Sequence, residues 1–185
     1  MNIFRGDTTV RLSAYSYMEV PLNKQYIQTL FSYNQWAKEK ILETTARLSH
    51  EEYMTTGEFP HRNLHAVLTH TLFAEWIWRN RWMGVSPTTR LKPEDFPTFD
   101  VLKIRWHAED VELMKFVENV TDDQLNNPFQ YSSTEGIRYE NILWESMAHV
   151  INHGTQHRSE AAVILTELGY SPGDLDMILF TRKKP

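Results

Sequence analysis

The sequence predicts an all-α protein built on four long helices, and three observations carry that prediction. Apolar residues recur at three- and four-residue spacing through four long segments, as they do where a helix buries one face. Pro21, Pro87, Pro93, Pro97 and Pro172 fall at or beyond the ends of those segments, where a missing amide donor costs nothing. Two sequences with the form of a capping box, Ser49-His-Glu-Glu52 and Thr121-Asp-Asp-Gln124, follow the first and third segments.

The first helix is expected from about Leu22 to Arg47, with Tyr26, Leu30, Tyr33, Ala37, Ile41 and Thr44 or Thr45 along its stripe. Ser49 to Glu52 then starts a separate short turn. The second long helix, about Asn63 to Met83, carries Leu64, Val67, Leu68, Leu72, Trp76 and Arg79 or Asn80, and Gly84 stops it. Three prolines make Val85 to Thr98 an extended connection. Antiparallel neighbours join through roughly 2 to 8 residues, so this longer link implies that helices two and three point the same way. The third helix runs from about Phe99 to Val120. Pro128 to Tyr139 reads as two short alternating runs around Ser132–Gly136, a small hairpin or irregular loop stabilised by lying across an end of the helices. The fourth helix, about Tyr139 to Leu168, ends at Gly169 with Pro172 behind it. Leu48 to Tyr53 echoes Val120 to Leu125, and each precedes a loop and a histidine-bearing helix. Approximate two-fold symmetry between the halves would make helices two and four face each other, bringing His70 to His153 and His157.

At 185 residues with 41% hydrophobic and 12% aromatic content, the chain buries one good core, so residues 1–185 are read as a single domain. Residues 1–20 form a polar extension expected to dock on the remainder, 22–180 the helical body, and Met18 is an alternative start. A net charge of -5 gives no attraction to nucleic acid, and the basic residues are scattered apart from Arg182-Lys183-Lys184. The absence of cysteine excludes disulfides, thiolate ligands from the chain and a cysteine nucleophile, so any metal must sit on nitrogen and oxygen. No apolar run approaches the ~20 residues of a membrane span, and no signal-peptide core opens the chain. A cytoplasmic protein without membrane or nucleic-acid partners is expected.

The chemistry-bearing signal is His149-Val-Ile-Asn-His153-Gly-Thr-Gln-His157-Arg-Ser-Glu160. Four helical residues return to nearly the same face with a drift of ~40°, so the three imidazoles form one stripe. Histidines one turn apart can share an ion, and a third ligand should come from another helix, with His70 the best candidate. The alternative for such a stripe is a polar helix face or hydrogen-bonded core. No His-Glu-x-x-His is present, so nothing points to a zincin protease.

Three segments together resemble the DinB family of metal-binding four-helix proteins. They are Phe31-Ser-Tyr-Asn34-Gln-Trp36-Ala37, Leu68-Thr-His70-Thr-Leu-Phe-Ala-Glu75 and His149-Val-Ile-Asn152-His153-Gly-Thr-Gln-His157-Arg158. The similarity covers nearly everything from Leu22 to Phe180. It implies an up-down-down-up four-helix bundle holding a divalent metal on His70, His153 and His157, and a homodimer. His149 takes a recurrent non-ligand position, either orienting a ligand or bound water or simply packed in the core. The family motif ends His-Arg-Gly-Gln where this chain has His157-Arg158-Ser159-Glu160, so Glu160 either approaches the metal or bonds a neighbour. Three histidines leave a coordination position open, and imidazole suits zinc first and nickel second.

Two functions follow from the resemblance. In one, the ion activates a water or thiol on a small-molecule substrate, as in metal-dependent hydrolases and thiol S-transferases. Glu160 or His149 accepts the proton, and Arg158 holds a substrate anion or serves as a salt-bridge partner. In the other, the ion stabilises a non-catalytic metal-binding, sensor or stress-response module. Trp76, Trp78 and Trp82 read as core first and pocket wall second.

Overall fold

Asn23 opens the first helix, α1 (Lys24–Thr45), its side chain accepting from the Tyr26 amide at 2.9 Å. The computed structural model describes residues 22–55 and 63–183; the expectations for residues 1–20, Met18 included, lie outside them. A reciprocal capping box follows: Ser49 donates its amide to Glu52 Oε2 at 2.7 Å, and Ser49 Oγ accepts from the Glu52 amide at 3.2 Å, starting the single turn α2 (His50–Met54). Asn63 caps α3 (Leu64–Trp82), which ends two residues before Gly84, whose φ of 81° suits a residue without a Cβ. The proline-bearing link contains one 3-10 turn at Pro93–Asp95. Thr98 caps α4 (Phe99–Asn119), and the second capping box starts the turn α5 (Asp122–Asn126). A hairpin of β1 (Pro128–Ser132) and β2 (Arg138–Ile142) leads into α6 (Leu143–Glu167), and a last turn, α7 (Met177–Thr181), follows.

Two expectations change. The fourth long helix begins at Leu143, not near Tyr139, because residues 139 to 142 continue the antiparallel ladder as far as Pro128 opposite Ile142. Helix geometry starts only where Glu145 Oε2 can accept from the Ile142 amide, at 3.1 Å. The buried face of α1 is also wider than the expected stripe, of which Tyr33, Ala37, Ile41, Thr44 and Thr45 are buried. Tyr26 is exposed, and the buried positions include Ile27, Phe31, Asn34, Lys38 and Leu42. This helix is wedged between α4 and α6, so it buries a face wider than a single stripe.

The long helices pack in the pairs α1 with α4, α4 with α3, α3 with α6, and α6 with α1. Their side chains fix the directions. Gln28 meets Val117 and Glu39 meets His107, so α1 and α4 are antiparallel. Trp106 bonds Glu75 and Glu109 bonds Arg79, so α3 and α4 run together as the long link implied. Trp82 bonds Ser146 while His70 meets His153, so α3 and α6 are antiparallel.

The core is layered. One apolar cluster holds Ile41, Leu42, Leu64, Leu68, Leu72, Trp106 and Leu165; the other holds Ile27, Phe31, Leu113, Val117, Met147 and Val150. Between them on every long helix lies a polar level: Asn34 and Lys38 on α1, Glu75 on α3, Glu109 and Asp110 on α4, Arg158 on α6, all buried. Since α1 and α6 contribute to both clusters in the same chain order, those two helices are parallel.

Candidate metal centre

α6 carries His149, His153 and His157 on successive turns, and α3 faces it with His70. The Nε2 atoms of His70 and His153 lie 3.1 Å apart, as do those of His157 and His153. One nitrogen from each of the three rings lies within 4.8 Å of the others. His157 is buried, His153 half-buried and His70 exposed, so the cluster opens from the helix interface towards solvent.

The hydrogen-bonding capacity of these rings suits an ion better than it suits one another. An Nε2 atom holds either one proton or one lone pair, so His153 Nε2 can make one good hydrogen bond, not two. With neighbours at 3.1 Å on both sides, no more than one of the two contacts is a well-directed hydrogen bond. A cation turns all three lone pairs to advantage. Tetrahedral ligation at ~2.0 to 2.1 Å separates nitrogens by roughly 3.3 Å, close to the two observed spacings. His153 is held neutral as ligation requires: burial first, then its three histidine neighbours, push its pKa down to about 4.

Glu160 sits on the other side of His157, its Oε2 at 2.8 Å from Nδ1. With the proton on Nδ1, the carboxylate accepts it and leaves the Nε2 lone pair facing the cluster. His149 continues the stripe but stays out of the cluster: its ring centroid is 5.7 Å from that of His153 and 5.5 Å, edge-on, from Trp78. Burial lowers its pKa. Trp82 donates to Ser146 Oγ at 2.8 Å and stacks on Phe116, while Trp76 is half-buried beside Phe73.

Arg158 is placed in the interior. Its Nη1 donates to Asn34 Oδ1, its Nη2 to Thr155 Oγ1 at 2.9 Å, and the guanidinium lies 5.5 Å from the Tyr33 ring. Asn34 passes the network on, donating to Glu75 Oε1 at 2.8 Å. Glu75 Oε2 accepts from Lys38 at 3.0 Å and from Trp106 Nε1 at 2.6 Å, and Lys38 also bonds Asp110. Burial alone would raise Glu75, but Lys38, Trp106 and Asn34 together hold its carboxyl below the usual range. Burial pushes Asp110 up to about 6, against the opposing charge of Lys38 and with that of Glu75. His157, Glu75, Lys38 and Arg158 share the walls of a cavity of about 10 Å³, so the network lies directly beneath the triad.

Sequence reasoning placed the histidines and missed this floor. The signal was there: Asn34 and Glu75 belong to the segments that resemble the DinB family, and Asn34 and Lys38 interrupt an otherwise apolar face one turn apart. Among the described residues no helix is long and apolar enough to cross a membrane.

Comparison with known proteins agrees with the motifs. The profile described as the DinB family matches residues 18–184. Protein DinB of Bacillus subtilis (strain 168) is 26% identical over 168 residues, an alignment covering 83% of this chain and 94% of that relative. A family match over nearly the whole chain, on a fold that brings its three histidines together, has one meaning: the chain belongs to the DinB family.

Proposed function

We propose that His70, His153 and His157 hold one divalent ion, zinc first and nickel second, on an up-down-down-up four-helix bundle. With that ion the protein activates a water or a thiol, as a metal-dependent hydrolase or thiol S-transferase does. The observation that carries it is the convergence of three Nε2 atoms from two antiparallel helices, with no fourth protein ligand in the cluster among the described residues. An ion bound there supplies a Lewis acid that makes a water or thiol acidic enough to yield a nucleophile near neutral pH.

The chain's own residues do the rest. Glu160 holds the His157 proton on Nδ1 and so keeps the Nε2 lone pair available. His149, exposed and with its pKa lowered by burial of part of its ring, is the neutral base one turn from His153 and takes the proton released by the nucleophile. Arg158 is engaged with Asn34 and Thr155, so its work is to brace α6 against α1.

The test is metal analysis of the purified protein, then turnover of activated esters, amides and thiol acceptors with and without chelator. Stoichiometric ion and chelator-sensitive turnover support the reading. Saturable ion binding with no turnover on any substrate favours the non-catalytic module, and failure to bind zinc or nickel removes both.

A further inference from the structure

Arg81 on α3 is only 9% exposed, yet no carboxylate pairs with it among the described residues. Its guanidinium lies 4.7 Å from the Trp78 ring and 5.1 Å from the ring of Tyr131 in β1, and its Nε is sealed from solvent without an acceptor. Aromatic faces offset part of the cost of burying a cation, but they leave Nε without an oxygen partner among the described residues. The carboxylate whose charge reaches it, Glu135, is already engaged: Arg90 Nη2 and Thr134 Oγ1 each lie 2.8 Å from Glu135 Oε1.

The position of this cation relative to the triad matters. Residues 70 and 81 are three helical turns apart, about 16 Å along α3 and within roughly 20° of the same face. The interval is furnished with rings: His149 next to His153, Trp78 edge-on to His149, Tyr131 5.1 Å from Trp78. His149 is exposed, and Trp78 and Tyr131 are half-buried. A run of ring contacts, partly open to solvent at His149, Trp78 and Tyr131, therefore links the histidines to the Arg81 guanidinium.

We propose that Arg81 binds the carboxylate of an elongated small substrate or co-substrate whose other end lies at the histidine triad. The proposal rests on the triad reading above. Allowing for side-chain reach, the two points are on the order of 10 to 16 Å apart, the span of about three to five extended residues. The molecule is thus an acid of tripeptide to pentapeptide length, with a nucleophilic or reactive group at the far end. A carboxylate matches the fork with two parallel hydrogen bonds.

The first arm of the test needs no ion. Chelator-treated protein is titrated with succinate and, separately, succinamide while the side-chain Nε–H signals of the arginines are followed by NMR, the Arg81 signal being assigned by its loss in Arg81→Met. A saturable shift of Arg81 with succinate alone supports the proposal. No shift, or an equal shift at exposed Arg138, overturns it and leaves Arg81 a pin between the hairpin and α3. In the second arm, cobalt-loaded protein is titrated with the peptide Cys-Gly-Gly-Gly as its free acid and as its C-terminal amide, read by thiolate-to-cobalt absorption. The acid should bind about ten- to a hundredfold more tightly, the worth of a charge-assisted pair, and Arg81→Met should erase the difference while Arg81→Lys keeps part of it. Absorption that never develops sinks the triad reading and leaves the succinate result standing. Equal binding of acid and amide sinks Arg81.

Discussion

Glu160 decides how His157 can act. Its carboxylate is 2.8 Å from Nδ1, so the ring's other nitrogen faces the cluster with its lone pair. Glu160→Ala should therefore weaken zinc affinity by ~10 to 100-fold, the usual effect of losing a partner behind a ligand. Glu160→Gln, which keeps an oxygen acceptor, should lose less. His149 bonds none of the three triad rings, so His149→Ala should lose less than Glu160→Ala, and His153→Ala or His157→Ala should abolish tight binding. Competition with a chromogenic chelator ranks all five variants; a His149→Ala loss equal to that of His157→Ala makes His149 a ligand. At this scale the four-residue spacing of the histidines was legible because a helix converts spacing directly into a face. The partner of each ring was not, since that depends on a rotamer and on which of two nitrogens carries the proton.

The helices meet through the polar layer, and Gly154 shows how tightly. A Cβ there would lie 2.8 Å from Asn34 Oδ1 and 2.9 Å from Arg158 Nη1, and Asn34 is short and already bonded to Glu75. Alanine favours a helix by roughly 1 kcal/mol over glycine, yet Gly154→Ala should lower stability because it pushes apart the contact joining α1 to α6. Chemical unfolding measures it, and a stabilised variant would disprove the close approach. Asp110 gives the layer a pH dependence. Its folded pKa of about 6 exceeds its ordinary 3.8, so the folded state binds the extra proton between those values. This contribution is whole below about pH 3.8 and is lost as pH rises through about 6, a change on the order of 3 kcal/mol. Unfolding of chelator-treated protein at pH 4, 5, 6 and 7 should show that decline in the wild type and a flatter profile in Asp110→Asn; identical profiles would refute it. Helix ends and both capping boxes were readable because caps are local. The assembly of the layer was not: Lys38, Glu75 and Asp110 lie on three different helices, and local signals at Lys38 and Glu75 do not say that they meet each other and Asp110. The α6 start was misplaced for the same reason, since only pairing with β1 makes residues 139 to 142 a strand.

Across the whole molecule, the triad joins α3 to α6, helices separated in sequence by the long link, α4 and the hairpin. An ion held by His70 on one and His153 and His157 on the other stabilises only the folded chain, because the unfolded chain does not bring these rings together. Linkage sets the size: free ion at a hundred times its Kd adds about 2.7 kcal/mol. For a chain of this length each kcal/mol moves the midpoint by roughly 2 to 4 °C, so chelation should lower Tm by roughly 5 to 10 °C. His153→Ala should melt at the same temperature with and without chelator, because its nitrogen is the one both neighbours approach at 3.1 Å. His149→Ala should keep its chelator sensitivity. Scanning calorimetry of the three proteins with zinc and with chelator makes the comparison. A wild-type midpoint indifferent to chelator would mean that the rings converge without holding an ion, whereas chelator sensitivity surviving in His153→Ala would place the bound ion elsewhere on the chain.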